Sequence, residues 1–197
     1  MSPQQRAEET RARILDAAEE CFSRSGYDPT SVDDICIRAG VTKGAFYHHF
    51  PSKQAVFIEL LNRWLAGLDA ELSRVRAGAS SVPEALMQMA TTAQTAIQAQ
   101  RERLPMFLEF WTKAAHDPAI WEATIAPYRR YQDFFAEMIE AGIAEGTLRP
   151  IDPHAAAQAL LSLAVGLVVQ GMLDSQGDWG QVMQESIEIF LKGLGRE

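Results

Sequence analysis

Thr42-Lys43-Gly44-Ala45-Phe46-Tyr47-His48-His49-Phe50 packs one cation, two small residues and three polar-tipped rings into a single short run. Wound as a helix, the run sorts by side. Phe46 and Phe50, four residues apart, share one face and turn to a core, whereas Lys43, Tyr47 and His48 point elsewhere. Gly44 and Ala45 keep the outer face flat, so the backbone can come close to a large surface. The free N–H groups at the Thr42 end can receive a phosphate. This is chemistry for docking on a polyanion by one charge and several hydrogen bonds.

Other chemistries lack their parts. No nucleophile–base pair or phosphate-binding glycine loop can be assembled. Cys21, Cys36, His48, His49, His116 and His154 show no metal-ligand spacing, and the two cysteines read as small packing residues. The chain is therefore expected to be no enzyme and to carry no metal or cofactor.

The elements that must hold this face are short. Ser31 caps a two-turn helix, Val32 to Arg38, whose Asp33 and Asp34 suit the positive end of the helix dipole. Ala39-Gly40-Val41 is a small-residue turn into the second helix. Two helices so joined describe a helix-turn-helix, which offers the start of its second helix to the DNA major groove. A plain helical hairpin with surface Tyr and His fits the same residues.

Around this unit the whole chain carries helical spacing. A first helix runs from about Arg6 to Arg24 and ends at Gly26. A long one begins at Lys53 behind Ser52 and continues to about Val75. Ser81-x-x-Glu84 opens the next as a capping box. An aromatic stretch follows, Met106 to Trp111, and then a helix capped by Asp117-Pro118, which Pro127 should kink or divide. Asp152-Pro153 caps the uncharged segment Ala155 to Leu173. That segment is diluted by Gln158, Ser162 and Gln170, so a buried soluble helix is expected rather than a membrane span. A last helix ends near Leu194. The prediction is an all-α fold of about nine helices. With no apolar leader at the start, a cytoplasmic protein is expected.

The run Ile14-Leu15-Asp16-Ala17-Ala18, Phe22, Gly26-Tyr27, Thr30 to Ile35, and Ala39 to Lys53 resembles the tetracycline-repressor (TetR) family, over about the first 55 to 60 residues. The resemblance implies a DNA-binding domain over residues 1–53 and a helical ligand-binding and dimerisation domain over 54–197. It also implies a homodimeric repressor, released from a pseudo-palindromic operator by a small ligand. Lys43 and Gly44 are similar to the family's groove-facing pair. Ala45 stands where many members carry a longer reading side chain, and its methyl offers only an apolar contact. Thr42, Tyr47, His49 and Lys53 resemble phosphate anchors, with Ser31 a further one from the preceding helix. His48 could take either a base edge or a phosphate.

For the ligand half, the aromatics and Met exceed what a lean core needs. Met89, Phe107, Phe110, Trp111, Tyr128, Tyr131, Phe135 and Gln170 are the candidate pocket for a small, largely hydrophobic effector. Gln94, Glu109, His116 and Arg130 are further polar anchors, and Arg129-Arg130 could clamp an anion. The family's last two helices pair across a dimer, which implies Leu160, Leu163, Leu167, Val182, Ile187 and Phe190 as interface residues; the same stripes would equally serve a core within one chain.

The formal charge is −8, of which residues 1–53 contribute −1 and residues 54–197 contribute −7. Non-specific affinity follows the number of phosphates neutralised. So balanced a reader should be selective rather than sticky.

Overall fold

A computed structural model describes residues 2–99, 104–174 and 177–195. Within them, the side chains of Gln94, residues 96–99, Leu104, Phe107, Phe110 and Met172 lie outside the description. The architecture is all-α, as the spacing predicts, with nine helices and no strand among the described residues. These are α1 (Pro3–Ser25), α2 (Val32–Ala39), α3 (Lys43–His49), α4 (Lys53–Gly78), α5 (Val82–Ala99), α6 (Leu104–Ala114), α7 (Pro118–Glu145), α8 (Pro153–Leu173) and α9 (Trp179–Leu194).

Several helices start for a local reason. Ser2 and Gln5 form a reciprocal capping box at α1, one turn earlier than the apolar stripe suggests, with Pro3 in the first turn. Asp152 accepts from the N–H groups of His154 and Ala155 to open α8, and Asp178 accepts from Gln181 to open α9. At α5 the Glu84 carboxylate turns to Ser80 rather than Ser81, accepting its N–H at 2.9 Å and its hydroxyl. Pro127 does not divide α7, which continues through it.

Two compact units emerge: residues 1–67 with 102–124, and residues 68–101 with 125–197. In the first, Phe22, Tyr27 and Phe57 stack with centroids 4.4–5.6 Å apart, beside fully buried Ile14, Ile35 and Phe46. The aromatic helix α6 belongs to this unit. Glu109 accepts the Tyr27 N–H at 2.8 Å, and Lys113 pairs with Asp28 at 2.6 Å.

The second unit centres on Val82, Leu86, Met89, Ile139, Leu148, Leu160, Leu167, Met183 and Ile187. Gly142 lies so close to Leu148 that a Cβ there would meet its side chain at 2.7 Å. Asp69 joins α4 to α7, accepting from the Tyr131 hydroxyl at 2.7 Å and from Arg130 at 2.7 Å.

Burial and then the Asp69 carboxylate hold the Tyr131 phenol well above its ordinary pKa. The folded chain thus keeps this proton more tightly than the unfolded chain does. Its stabilising effect is intact below the ordinary value of 10.0 and fades as pH rises beyond it. Urea midpoints taken between about pH 9 and 11 should fall more steeply in the wild type than in Tyr131→Phe.

Helix α8 is less covered than its composition predicts. Its span Pro153–Gly171 is long and apolar enough to cross a membrane by length and composition alone, yet only 22% of it is buried. One side, with Ala156, Ala157, Leu160 and Leu167, packs inward. On the other, Ala155, Ala159, Ser162 and Leu173 stand exposed.

Candidate nucleic-acid interface

The site is built from three short pieces. Ser31 caps α2, accepting from the Asp34 N–H at 3.1 Å while its own N–H donates to the Asp34 carboxylate at 2.8 Å. Ile35, Cys36 and Ala39 turn inward and are buried. Gly40 then takes a left-handed conformation (φ 63°), which glycine adopts without strain. Arg13 of α1 donates to the Ala39 and Gly40 carbonyls, the latter at 3.0 Å, and so pins the turn. A Cβ on Gly40 would meet that guanidinium at 2.9 Å. Thr42 caps α3 by accepting from the Ala45 N–H at 3.2 Å.

Phe46 has no exposed surface and Phe50 is 3% exposed, so α3 has one rotational setting. That setting leaves Thr42, Lys43, Gly44, Tyr47 and His48 exposed, with Ala45 and His49 half-buried and Ser31 exposed at the start of α2. Burial, then His48 and Arg11, lowers the His49 pKa. Its ring is neutral near pH 7 and offers an N–H rather than a charge.

Lys43, the one Lys or Arg in α3, pairs with Asp33 of α2 at 2.8 Å. The carboxylate raises the lysine's pKa and keeps it charged. Both side chains are more than half exposed, and such a pair contributes about 0–1 kcal/mol. The lysine is thus easily exchanged to another acceptor.

Lys53 has a different place from the one the resemblance implies. Its ammonium donates to the carbonyls of Tyr27 at 2.6 Å, Thr30 at 2.7 Å and Asp28 at 3.3 Å, and it lies 4.2 Å from the centre of the Tyr27 ring. Burial lowers its pKa. Here the charge ties the loop between α1 and α2 to the start of α4. Lys53→Met should therefore lower the unfolding free energy by about 1–3 kcal/mol, measured by urea titration. A loss no larger than that of a solvent-exposed lysine would show these bonds to be idle.

Of the eight candidate pocket residues, Met89, Tyr128, Tyr131, Phe135 and Gln170 belong to the second unit and Phe107, Phe110 and Trp111 to the first. Met89 and Phe135 pack in the core of the second unit. Tyr128 exchanges hydrogen bonds with Gln158, Tyr131 is bound to Asp69, and Gln170 is exposed. Trp111 belongs to the first unit and is 47% exposed. The side chains of Phe107 and Phe110, like that of Gln94, lie outside the described residues. An open cleft in the first unit is lined by Tyr27, Gln54, Thr112, Lys113, His116, Asp117 and Ile120. It includes His116 but none of the eight. Glu109 and Arg130 are engaged with Tyr27 and Asp69 and are not free anchors.

The six interface residues divide as well. Leu160, Leu167 and Ile187 are each 5% exposed and pack inside the chain's own core. Leu163 and Phe190 are half-buried, and Val182 is exposed. Exposed positions on the two helices include Ala155, Ala159, Ser162 and Leu173 on α8, and Val182, Glu185, Ile189 and Gly193 on α9. Sequence reasoning also missed Asp33 and Arg13, whose partners lie ten and 26 or more residues away. No periodic signal links such pairs.

Comparison with known proteins finds two family matches along the chain. Residues 14–60 match the model of bacterial regulatory proteins of the tetR family, and residues 82–196 match the BetI-type transcriptional repressor C-terminal domain. The HTH-type transcriptional regulator BetI of Burkholderia thailandensis is 27% identical over 165 residues, covering 83% of this chain and 82% of its own. A transcriptional regulator from Saccharomonospora viridis, crystallised with choline, is 24% identical with a TM-score of 0.86, over 96% of this chain and all of the other. The regulator FadR from Bacillus subtilis, in complex with stearoyl-CoA, shares the fold at 19% identity with a TM-score of 0.83, over 93% and 98%. These relatives are regulators, not enzymes. The chain belongs to the TetR family of helix-turn-helix transcriptional regulators and carries a BetI-type C-terminal domain.

Proposed function

We propose that the chain is a homodimeric, cytoplasmic repressor that holds a pseudo-palindromic operator and leaves it when a small, largely apolar ligand binds. The observation that carries this reading is the exposed α2–α3 face. There Lys43, Gly44 and Ala45 serve the groove, while Ser31, Thr42, Tyr47 and His49 serve phosphates and His48 serves either. Phosphate contacts set the register of such a module, and base contacts give it its sequence. Dimerisation is supported by the outward small-residue stripe of α8 beside exposed Val182 and Ile189 on α9. Small residues let helix backbones approach closely.

Release is a population shift. The ligand must bind better to a conformation whose two recognition helices no longer match successive major grooves. Helix α4 runs unbroken from Lys53 beside the reader to Gly78, which suits it as the lever.

A second reading of the ligand, a small quaternary ammonium, is supported by the choline in the Saccharomonospora viridis regulator. Titrating choline chloride and stearoyl-CoA separately into the protein–operator complex decides between the two. Release by the acyl thioester alone supports the apolar ligand, and release by choline alone supports the cation. An operator complex indifferent to any small molecule in a metabolite screen would contradict ligand control.

A further inference from the structure

The start of α2 carries two carboxylates, and they have different work. Asp34 completes the cap with Ser31. Asp33 is not needed for that cap and reaches across the turn to Lys43 at 2.8 Å. The recognition helix therefore presents its single ammonium already matched by a carboxylate on the same exposed face.

We propose that Asp33 is a specificity-determining residue that acts through Lys43, withholding its charge from random DNA and yielding it to the operator. This rests on the operator-reading face assigned above. A passing duplex meets a neutral pair, so one phosphate fewer is neutralised. If Lys43 leaves for a phosphate, Asp33 is uncovered beside a polyanion and repels it. The exchange is favourable where a fixed base edge, such as the O6 and N7 of guanine, rewards the lysine more than a phosphate does. Asp33 thus penalises every site and Lys43 compensates only at the right one.

The test is a double-mutant cycle of wild type, Asp33→Asn, Lys43→Ala and the pair. Each is measured on a duplex selected by the wild type and on a random-sequence duplex, at fixed salt and across a salt series. Asp33→Asn should raise affinity for random duplex by about three- to tenfold and steepen its salt dependence by about one ion. Operator affinity should change less, so the ratio of the two falls. In the Lys43→Ala background the same substitution removes only the carboxylate's repulsion, with no ammonium to set free, so the gain on random duplex should be clearly smaller than in the wild type. Asp33→Ser, also at home in a first helical turn, should repeat the result if Asn disturbs α2. An equal gain in both backgrounds would mean that Asp33 acts only through its field on DNA, and would overturn its role. An unchanged ratio would overturn it too. If the wild type selects no duplex at all, the operator reading and this role fall together; if it does and the cycle is additive, only the role of Asp33 falls.

Discussion

Phe46→Ala is expected to cost about 3–5 kcal/mol of stability and to abolish operator binding with it. The side chain has no exposed surface. It packs edge-on to Tyr47 at 5.4 Å and against Phe50 at 6.1 Å, in the same buried layer as Ile35 and Ala39 on α2. Removing the ring leaves a void that one seven-residue helix has little means to close. Helix α3 has few other buried groups, so its rotational setting depends on this ring, and the outer face loses its alignment when the ring goes. A loss of this size is a large part of the ~5–15 kcal/mol that holds a typical domain together. Urea titration gives the stability change, and a gel shift on the selected duplex gives the functional one. Phe46→Leu, nearer in volume, should lose less than the alanine variant and retain measurable binding.

Lys43→Ala should behave in the opposite manner, leaving stability within about 1 kcal/mol while weakening operator binding by on the order of 1–3 kcal/mol. The lysine's partner in the free protein is the exposed Asp33, so folding gains little from the pair. On DNA the same ammonium would be the only Lys or Arg charge that α3 supplies. If Lys43 reads a base, the loss should be confined to duplexes that keep that base. If it holds a phosphate, the loss should be uniform across sequences, with a shallower salt slope. Its contrast with Lys53, whose ammonium is spent on three backbone carbonyls, is a contrast of structure: Lys53→Met should cost stability first.

The reader was legible because its signals are local. The cap at Ser31, the Gly40 turn and the Phe46/Phe50 spacing all act within a few residues, and they predict the observed helices to within a residue or two. What escaped is non-local. Glu109 meets Tyr27 from 82 positions away, which draws α6 into the compact unit of the reader, and Arg13 pins a turn 26 positions on. Pattern also misled where it was too uniform. Helix α8 is apolar almost all round, so periodicity does not choose its inner face, and the resemblance alone points its larger side chains to an interface. Leu160 and Leu167 fill the chain's own core, because an internal core favours volume; the small residues Ala155, Ala159 and Ser162 are the ones left outside. At Pro127 a breaker is expected, yet α7 continues through it.

The central claim, a dimer that reads two half-sites, is tested most directly by selecting bound duplexes from a random pool with the purified protein and sequencing them. The expected product is an inverted repeat, its half-site centres separated by about 34–36 Å or a multiple of it, with the enrichment lost in Lys43→Ala. Enrichment of a single unrepeated site, or of no sequence at all, would contradict it.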